Sequence, residues 1–259
     1  MDKTTLSFLG DVFFGGEFLS SSSSLDSNVL DKFKKLKIEL ATSELVCANL
    51  ESPFYKSSSP RLKRSVLLDS PESSVSILNY INCNVANIGN NHITDYGLDA
   101  LTKTKDLLED KNIMHFGAAE NLEKAKKPLI FEINNEKVGF LSFTTSEINV
   151  KSEIATHKTP GCCEITSETY SSISKIKSGL DYLILDIHWG HEFFLYPSPN
   201  QRKIARKLAN SGVDVIIGHH PHCVQAMEQI DKCTVFYSLG NAFFPNIKIT
   251  FFYIGNSTV

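Results

Sequence analysis

Cysteine is scarce in this sequence, and long uninterrupted apolar runs are missing from it. The six cysteines among 259 residues show no Cys-x-x-Cys spacing and are too few for a disulfide-rich scaffold of this length. No apolar stretch reaches the roughly 18 residues that a transmembrane helix needs. The N-terminus lacks a basic segment followed by a long apolar run, so no signal peptide is expected. We therefore expect a cytoplasmic protein with reduced thiols and no membrane span.

An excess of positive charge and the common nucleotide-binding and esterase motifs are also missing. The net charge is −3 and the sequence pI is about 6.2, so no global basic field is available to hold nucleic acid or anionic lipid. No P-loop, Gly-x-Gly-x-x-Gly or Gly-x-Ser-x-Gly motif occurs. We therefore expect no nucleic-acid partner, and nucleotide-kinase, Rossmann and serine-hydrolase functions have no support.

The remaining composition is that of an ordinary globular α/β protein. Apolar residues make up 42% of the chain and charged residues 21%, which allows a core of useful size. We find no internal repeat and no convincing linker, and this favours a single domain over residues 1–259 rather than two small ones.

Apolar periodicity predicts an alternation of short strands and helices. Predicted strands cover residues 4–9, 46–51, 85–88, 113–116, 182–187, 213–217 and 235–237. A hairpin is predicted over 129–133 and 138–143. Predicted helices cover 29–45, 97–109 and 200–211, and a further helix is predicted to start with Ser70 as its cap and Pro71 in its first turn. Residues 146–166 show no period and are predicted to be loop.

Several of the predicted strands end in polar side chains of similar chemistry. In an α/β sheet the carboxyl ends of the strands share one edge, so we expect these side chains to meet. Carboxylate, amide and imidazole groups are the donors used for Zn²⁺, Mn²⁺ or Fe ions, and a two-metal hydrolytic site needs about this many of them. The side chains at the strand ends are Asp11, Glu51, Asn91, His92, His188, His220 and His222.

The segment His220-Pro221-His222 places two imidazoles two residues apart. In an extended segment these positions point to the same side, so both imidazoles could face one metal centre. The alternative is a polar loop whose histidines cap a strand. Asp11 and Glu51, taken alone, are also compatible with a turn or a cap.

His92 precedes Asp95 by three residues. A carboxylate beside an imidazole fixes its tautomer and suits it to general acid catalysis. The alternative is a capping cluster of Asn and Asp with an incidental histidine. His115 and His157 lack such surroundings and are read as ordinary histidines.

A second group of residues is predicted to contact substrate or to support the metal ligands. The turn at 238–241 is typical either of a phosphate-binding loop or of a tight turn. His219 adjoins the histidine pair, and Glu192 belongs to the dense His-Trp-Gly-His-Glu segment at 188–192. The supporting residues are Asn49, Asn90, Glu192, His219, Ser238 and Asn241.

Six motifs in order along residues 5–244 resemble the CapA family of capsule and poly-γ-glutamate biosynthesis proteins, a branch of the calcineurin-like metallophosphoesterases. They are Phe-Leu-Gly-Asp at 8–11, Ala-Asn-Leu-Glu at 48–51, Asn-Asn-His at 90–92 with Asp-Tyr-Gly at 95–97, His-Trp-Gly at 188–190 with Glu192, Gly-His-His-Pro-His at 218–222, and Tyr-Ser-Leu-Gly-Asn at 237–241.

The resemblance implies a four-layer αββα sandwich with a metal site at the carboxyl ends of the strands. It implies one or two divalent metals. Asp11 and His222 would serve the first, Asn91, His188 and His220 the second, and Glu51 would bridge them. His92 would be the catalytic acid, oriented by Asp95.

The chain departs from the wider superfamily at two positions. The superfamily begins with Asp-x-His, but Phe13 stands at the histidine position, so Glu17 or a water would have to replace that ligand. The bridging position carries Glu51 instead of an aspartate.

The resemblance implies a metal-dependent hydrolase of a phosphoester or related bond, linked to capsule or poly-γ-glutamate biosynthesis. Its partners would be a polymer or a small phosphorylated substrate, together with capsule synthase components. The alternative is a non-catalytic accessory subunit of the synthase. A weaker third option is a regulatory phosphatase acting on a nucleotide.

Overall fold

The computed structural model describes residues 4–16, 27–56, 66–148 and 154–245, which form thirteen strands and seven α-helices. The strands are β1 (Leu6–Val12), β2 (Leu45–Leu50), β3 (Val85–Asn87), β4 (Met114–Phe116), β5 (Ala118–Ala119), β6 (Leu129–Ile133), β7 (Glu136–Thr144), β8 (Gly161–Cys162), β9 (Tyr182–His188), β10 (Val215–His219), β11 (Met227–Ile230), β12 (Cys233–Phe236) and β13 (Asn241–Phe243). The helices are α1 (Ser27–Asp31), α2 (Lys34–Glu39), α3 (Val75–Tyr80), α4 (Gly97–Glu109), α5 (Leu122–Ala125), α6 (Ser167–Lys177) and α7 (Pro199–Asn210).

The strands form two main sheets and one small pair. The first sheet has five strands in the order β13-β1-β2-β3-β4, all parallel. The second has six strands in the order β11-β12-β10-β9-β7-β6. Its four central strands are parallel, and the two edge strands pair antiparallel. Strands β5 and β8 pair antiparallel beside them.

Three apolar clusters separate four layers of secondary structure. Strand β2 shows how these clusters arise, because successive side chains of a strand point to opposite faces of the sheet. Ala48 and Leu50 pack with helices α3 and α4 on one side, whereas Leu45 and Cys47 join Ile184 of the second sheet on the other. A third cluster lies between the second sheet and helices α6 and α7. The fold is the αββα sandwich of the metallophosphoesterase type, as the sequence predicts.

The predicted helix over 29–45 is wrong in its extent. Two short helices, α1 and α2, occupy its first part, and Leu45 already belongs to β2. Leu45 is 9% exposed and packs between the sheets. Burial in the strand therefore outweighs the helical spacing that the residue completes.

The predicted helix start at residues 70–72 is also corrected. Pro71 precedes a 3₁₀ turn over Glu72–Ser74, and no side chain caps that turn. Ser70 instead accepts a hydrogen bond from the backbone N–H of Phe14 at 3.0 Å. Ser70 thus ties the end of β1 to the loop before α3.

The remaining differences concern short elements. The hairpin turns on two residues, Asn134 and Asn135, both with positive φ, which suits the tightest hairpin loops. The described part of the predicted loop over 146–166 contains β8. Five further elements had no counterpart among the predictions from the sequence: β5, α5, α6, β11 and β13. Within the residues the structure describes, no helix has both the length and the apolarity to cross a bilayer.

Candidate metal centre

The polar side chains at the strand ends meet between the two sheets. The first sheet contributes Asp11 from β1 and Glu51, which follows β2, whereas the second contributes His188 at the end of β9. Asp11, Glu51 and His188 are each 0% exposed. Because parallel strands of both sheets end here, residues far apart in sequence share one buried site.

Glu51, His220 and His222 form the tightest group of donors. Each offers one ligand atom, and these atoms lie within 4.8 Å of one another. His188 adjoins the group, with its Nε2 atom 3.3 Å from Oε1 of Glu51. The rings of His188 and His220 have centroids 5.0 Å apart. One carboxylate and two imidazoles could therefore share one ion, and a third imidazole lies close by.

Most of these donors have no hydrogen-bond partner inside the described protein. Both carboxylate oxygens of Glu51, both ring nitrogens of His188, Nδ1 of His220 and Oδ1 of Asn91 are buried and lack one. Although His188 lies close to Glu51, the pair does not have hydrogen-bond geometry. A buried polar atom without a partner costs about 1–3 kcal/mol, and more when it is charged. A divalent cation among these atoms would satisfy them, so the donor set fits a metal.

The ionisation of two of the histidine donors, His188 and His220, also suits metal binding. Burial, reinforced by the nearby His220, lowers the pKa of His188 well below its ordinary value. Burial, reinforced by His222, lowers the pKa of His220 to about 3. Both imidazoles are therefore neutral at pH 7, and a metal requires neutral imidazole ligands. Burial and the nearby Asp11 raise the pKa of Glu51 well above its ordinary value, which a cation would reverse.

Asp11 differs from these donors because both of its oxygens are engaged. Its Oδ1 accepts a hydrogen bond from Nδ2 of Asn49 at 2.8 Å and lies 3.3 Å from Nδ1 of His219. Its Oδ2 accepts a hydrogen bond from the backbone N–H of His220 and lies 3.3 Å from Nδ1 of His222. Burial alone would raise the pKa of Asp11, but His219 and His222 bring it well below its ordinary value.

The residue that sequence reasoning missed here is Asp186. Its Oδ1 lies 3.1 Å from Nε2 of His219, so His219 bridges Asp186 and Asp11. Burial lowers the pKa of His219, but the two nearby carboxylates raise it to about 9. The sequence feature that could have identified Asp186 is its position in β9. It is a single carboxylate in an apolar strand, two positions before His188 and hence on the same face of the sheet.

The raised pKa values predict how stability depends on pH in the metal-free chain. The pKa of His222 is raised to about 10, because Glu51 and Asp11 outweigh the effect of burial, and that of His219 to about 9. Stability from a raised histidine pKa is complete below the unfolded value of about 6.5 and is lost as pH rises through the folded value. Between about pH 6.5 and 8.5 we expect the free energy of unfolding to fall by up to about 1.4 kcal/mol per pH unit for each retained proton. Urea unfolding with a chelator present would measure this.

A matched pair of variants checks the source of that slope. His219→Gln should reduce it, whereas His157→Ala should leave it unchanged because His157 is exposed. A pH-independent free energy of unfolding over this range would contradict the assignment.

His92 and Asp95 form a close pair beside the donors. Nδ1 of His92 lies 2.7 Å from Oδ2 of Asp95, which also accepts the backbone N–H of Leu68 at 2.9 Å. Asn90 accepts the N–H of His92 at 3.2 Å through its side chain, and its Nδ2 donates to the carbonyl of Leu50 at 2.8 Å. Asn90 thus caps this turn, as the alternative interpretation supposed, but His92 is also held by the buried carboxylate of Asp95.

The extended geometry predicted for His220 and His222 is wrong. Both residues have positive φ, 94° and 55°, a conformation that non-glycine residues seldom adopt. The two imidazoles converge on Glu51 because the chain turns there, and not because alternate residues of a strand share a face. Such backbone strain is typical of functional sites.

The turn at residues 238–241 is a tight turn that places Asn241 against the histidines. Gly240 has φ +67° and donates its N–H to Oγ of Ser238 at 3.1 Å. Oδ1 of Asn241 lies 2.8 Å from Nδ1 of His222. Glu192 is exposed and reaches Glu51 only as a nearby charge. His115 pairs with Glu109, at a distance from the donors in the fold.

Position 13, where the wider superfamily has a histidine, carries a phenylalanine in apolar surroundings. Phe13 packs with Leu68 and Phe244, and its ring centroid lies 4.9 Å from that of Phe244. Phe244 in turn contacts the ring of His222 edge-on at 4.9 Å. Glu17, the suggested replacement ligand, lies outside the described residues.

An exposed apolar loop borders the site. Phe193, Phe194, Leu195 and Tyr196 follow one another and are 59% to 81% exposed. The backbone N–H of Phe193 donates to the carbonyl of Pro221 at 2.8 Å, and Nε2 of Gln225 donates to the carbonyl of Phe194 at 2.8 Å. The loop is thus pinned to the histidine segment while its side chains face solvent.

Comparison with known proteins places these features in a family context. The profile of the family described as bacterial capsule synthesis protein PGA_cap matches residues 5–246. The chain is 31% identical over 248 residues to the PGA biosynthesis protein CapA of Bacillus subtilis, covering 94% of this chain and 64% of that protein. It is 29% identical over 251 residues to the capsule biosynthesis protein CapA of Bacillus anthracis, covering 94% and 60%.

A solved structure supports the fold and nothing beyond the fold. A Staphylococcus aureus protein, described provisionally as a 5′-nucleotidase, superposes with a TM-score of 0.55 at 17% identity, covering 88% of this chain and 47% of that one. The chain spans 60% to 64% of the length of the two curated relatives.

Proposed function

The chain belongs to the bacterial capsule synthesis protein PGA_cap family, and on that premise we propose that it is a metal-dependent hydrolase in capsule or poly-γ-glutamate biosynthesis. The observation that supports this best is the group of buried donors without partners at the meeting point of the two sheets. A binding surface alone gives no reason to bury the carboxyl group of Glu51 beside ring nitrogens of His188 and His220 that lack hydrogen-bond partners.

Glu51, His220 and His222 would hold the metal, with His188 and Asn91 beside them. These nitrogen and oxygen donors suit Mn, Zn or Fe, and the ion would supply Lewis acidity and activate water toward phosphorus or a carbonyl carbon. The bond attacked would be a phosphoester or a related bond, in a small phosphorylated compound or in the polymer.

His92 would protonate the leaving oxygen. Because Asp95 accepts from Nδ1 at 2.7 Å, the proton available for transfer is the one on Nε2. Asp95 is itself held by the N–H of Leu68, so the imidazole has a fixed orientation. We propose Asp95 as the residue that positions the acid.

The test compares two histidine variants of the purified chain. His220→Ala should lose the bound metal and all hydrolysis of phosphomonoesters, phosphodiesters and γ-glutamyl peptides. His157→Ala, an exposed histidine outside the site, should keep both. A wild-type chain that retains no metal and hydrolyses nothing in this panel would refute the proposal.

A non-catalytic accessory role is the second candidate. The observation that favours it is the apolar loop at 193–196, since adjacent exposed aromatic and aliphatic side chains are typical of binding surfaces. Capsule synthase components or the polymer itself would be the partner. Unchanged polymer synthesis in cells that carry the His220→Ala variant would favour this role. The cytoplasmic location predicted from the sequence remains a proposal.

A further inference from the structure

We infer that this chain holds one divalent ion rather than a pair, and that Asp11 acts from outside the coordination sphere to position the ligands. The inference rests on the metal centre of the proposed function and concerns how many ions it takes. It departs from the two-ion arrangement that the resemblance allows. The contacts of Asp11, the orientation of His222 and the side chain at position 13 support it independently.

Each oxygen of Asp11 already accepts one hydrogen bond. Its two oxygens face four nitrogen atoms: Nδ2 of Asn49 at 2.8 Å and Nδ1 of His219, Nδ1 of His222 and the backbone N of His220, each at 3.3 Å. A metal ligand would have to give up several of these contacts. In contrast, both oxygens of Glu51 lack any hydrogen-bond partner in the described protein. The two carboxylates therefore have different roles.

His222 is oriented as a ligand of one ion supported by Asp11. Its Nε2 atom faces Glu51, 3.7 Å from Oε1. Its Nδ1 atom faces away, 2.8 Å from Oδ1 of Asn241 and 3.3 Å from Oδ2 of Asp11. Metal-binding histidines commonly donate their second N–H to such a carboxylate or carbonyl oxygen. Asp11 and Asn241 therefore take the place of supporting residues.

Among the described residues, apolar side chains occupy the side of Asp11 on which the superfamily has its histidine. The side chain at position 13 is phenylalanine and packs with Leu68 and Phe244. Phe244 also contacts His222, so apolar atoms lie where a further ligand would be needed. His219, the remaining imidazole at Asp11, is occupied on its other side by Asp186.

Metal stoichiometry of the wild-type chain tests the inference directly. The protein is stripped with chelator, titrated with Mn²⁺ by calorimetry, and analysed for retained metal after gel filtration. We expect one equivalent, and an electron paramagnetic resonance spectrum without exchange coupling between ions. Two equivalents with a coupled spectrum would overturn the inference and leave the proposed hydrolase intact. No retained metal would overturn both.

Two isosteric variants separate a ligand from a positioning residue. Asp11→Asn should still bind one equivalent, with Kd for Mn²⁺ about 10–100-fold weaker, as for other supporting residues. Glu51→Gln should retain no ion after gel filtration. An Asp11→Asn chain that is folded by circular dichroism and holds no ion would overturn the assignment of Asp11. If either variant fails to fold, the wild-type stoichiometry still decides the number of ions.

Discussion

Replacing His92 by alanine is expected to lower kcat about 10²–10⁴-fold on alkyl phosphates, the usual contribution of a general acid. The physical reason is the pair with Asp95, whose Oδ2 atom lies 2.7 Å from Nδ1 of His92. This contact fixes the direction of the ring and of the Nε2–H bond that would donate the proton. On p-nitrophenyl phosphate the loss should be much smaller, because nitrophenolate leaves without protonation. Metal content should be unchanged, since His92 is not among the proposed ligands.

The matched control for this variant is His115→Ala. His115 is also paired with a carboxylate, Glu109, at 3.0 Å, but it lies outside the site. Its replacement should leave kcat unchanged on both substrates. An equal loss on alkyl and nitrophenyl phosphates in His92→Ala would contradict the role of His92 as the acid.

Replacing Gly218 by alanine is expected to destabilise the chain by at least about 1–3 kcal/mol, the range for inserting atoms into a packed interior. A Cβ atom there would lie 2.0 Å from the carbonyl oxygen of Tyr237 and 2.7 Å from Nε1 of Trp189. It would also disturb the hydrogen bond between these two groups, which is 2.9 Å long. Because Gly218 directly precedes the histidine segment, metal affinity should fall as well.

Gly179→Ala provides the comparison for that substitution. The nearest atom to a Cβ at Gly179 is the carbonyl oxygen of Ile176 at 3.7 Å, an ordinary contact. The midpoint of urea unfolding of Gly179→Ala should stay close to that of the wild type. If Gly218→Ala unfolds at the same urea concentration as Gly179→Ala, the backbones of β10 and the segment after β12 are not as close as described.

The position of the site was predictable from the chain because apolar segments and the polar residues that end them are both visible in the sequence. Strand β9 is an example, with an apolar run that ends at His188. The four-layer arrangement came from the motifs, since the apolar runs do not tell which sheet a strand joins. Asp186 was overlooked because a single acidic residue inside an apolar strand has no local partner. Its partner His219 lies on the neighbouring strand.

The orientation of side chains could not be predicted in the same way. The positive φ values of His220 and His222 result from tertiary contacts, such as the N–H of His220 that donates to Asp11. The prediction that the helix extends to Leu45 was wrong for a related reason. Spacing fits a helix there, but the space between the two sheets favours a strand.

The division of the site between two sheets has a consequence for synthesis on the ribosome. Asp11 lies in β1, Glu51 follows β2 and Asn91 follows β3. These three residues leave the ribosome early, whereas His188, His220 and His222 follow later. Roughly 100 residues separate Asn91 from His188, which at roughly 5–20 residues per second takes about 5–20 s. During that interval the buried carboxylate of Glu51 has no imidazole partners. The nascent chain would therefore acquire its metal only after translation has passed β10. Mutations that slow translation of the second half of the chain would prolong the time for which the incomplete site is exposed.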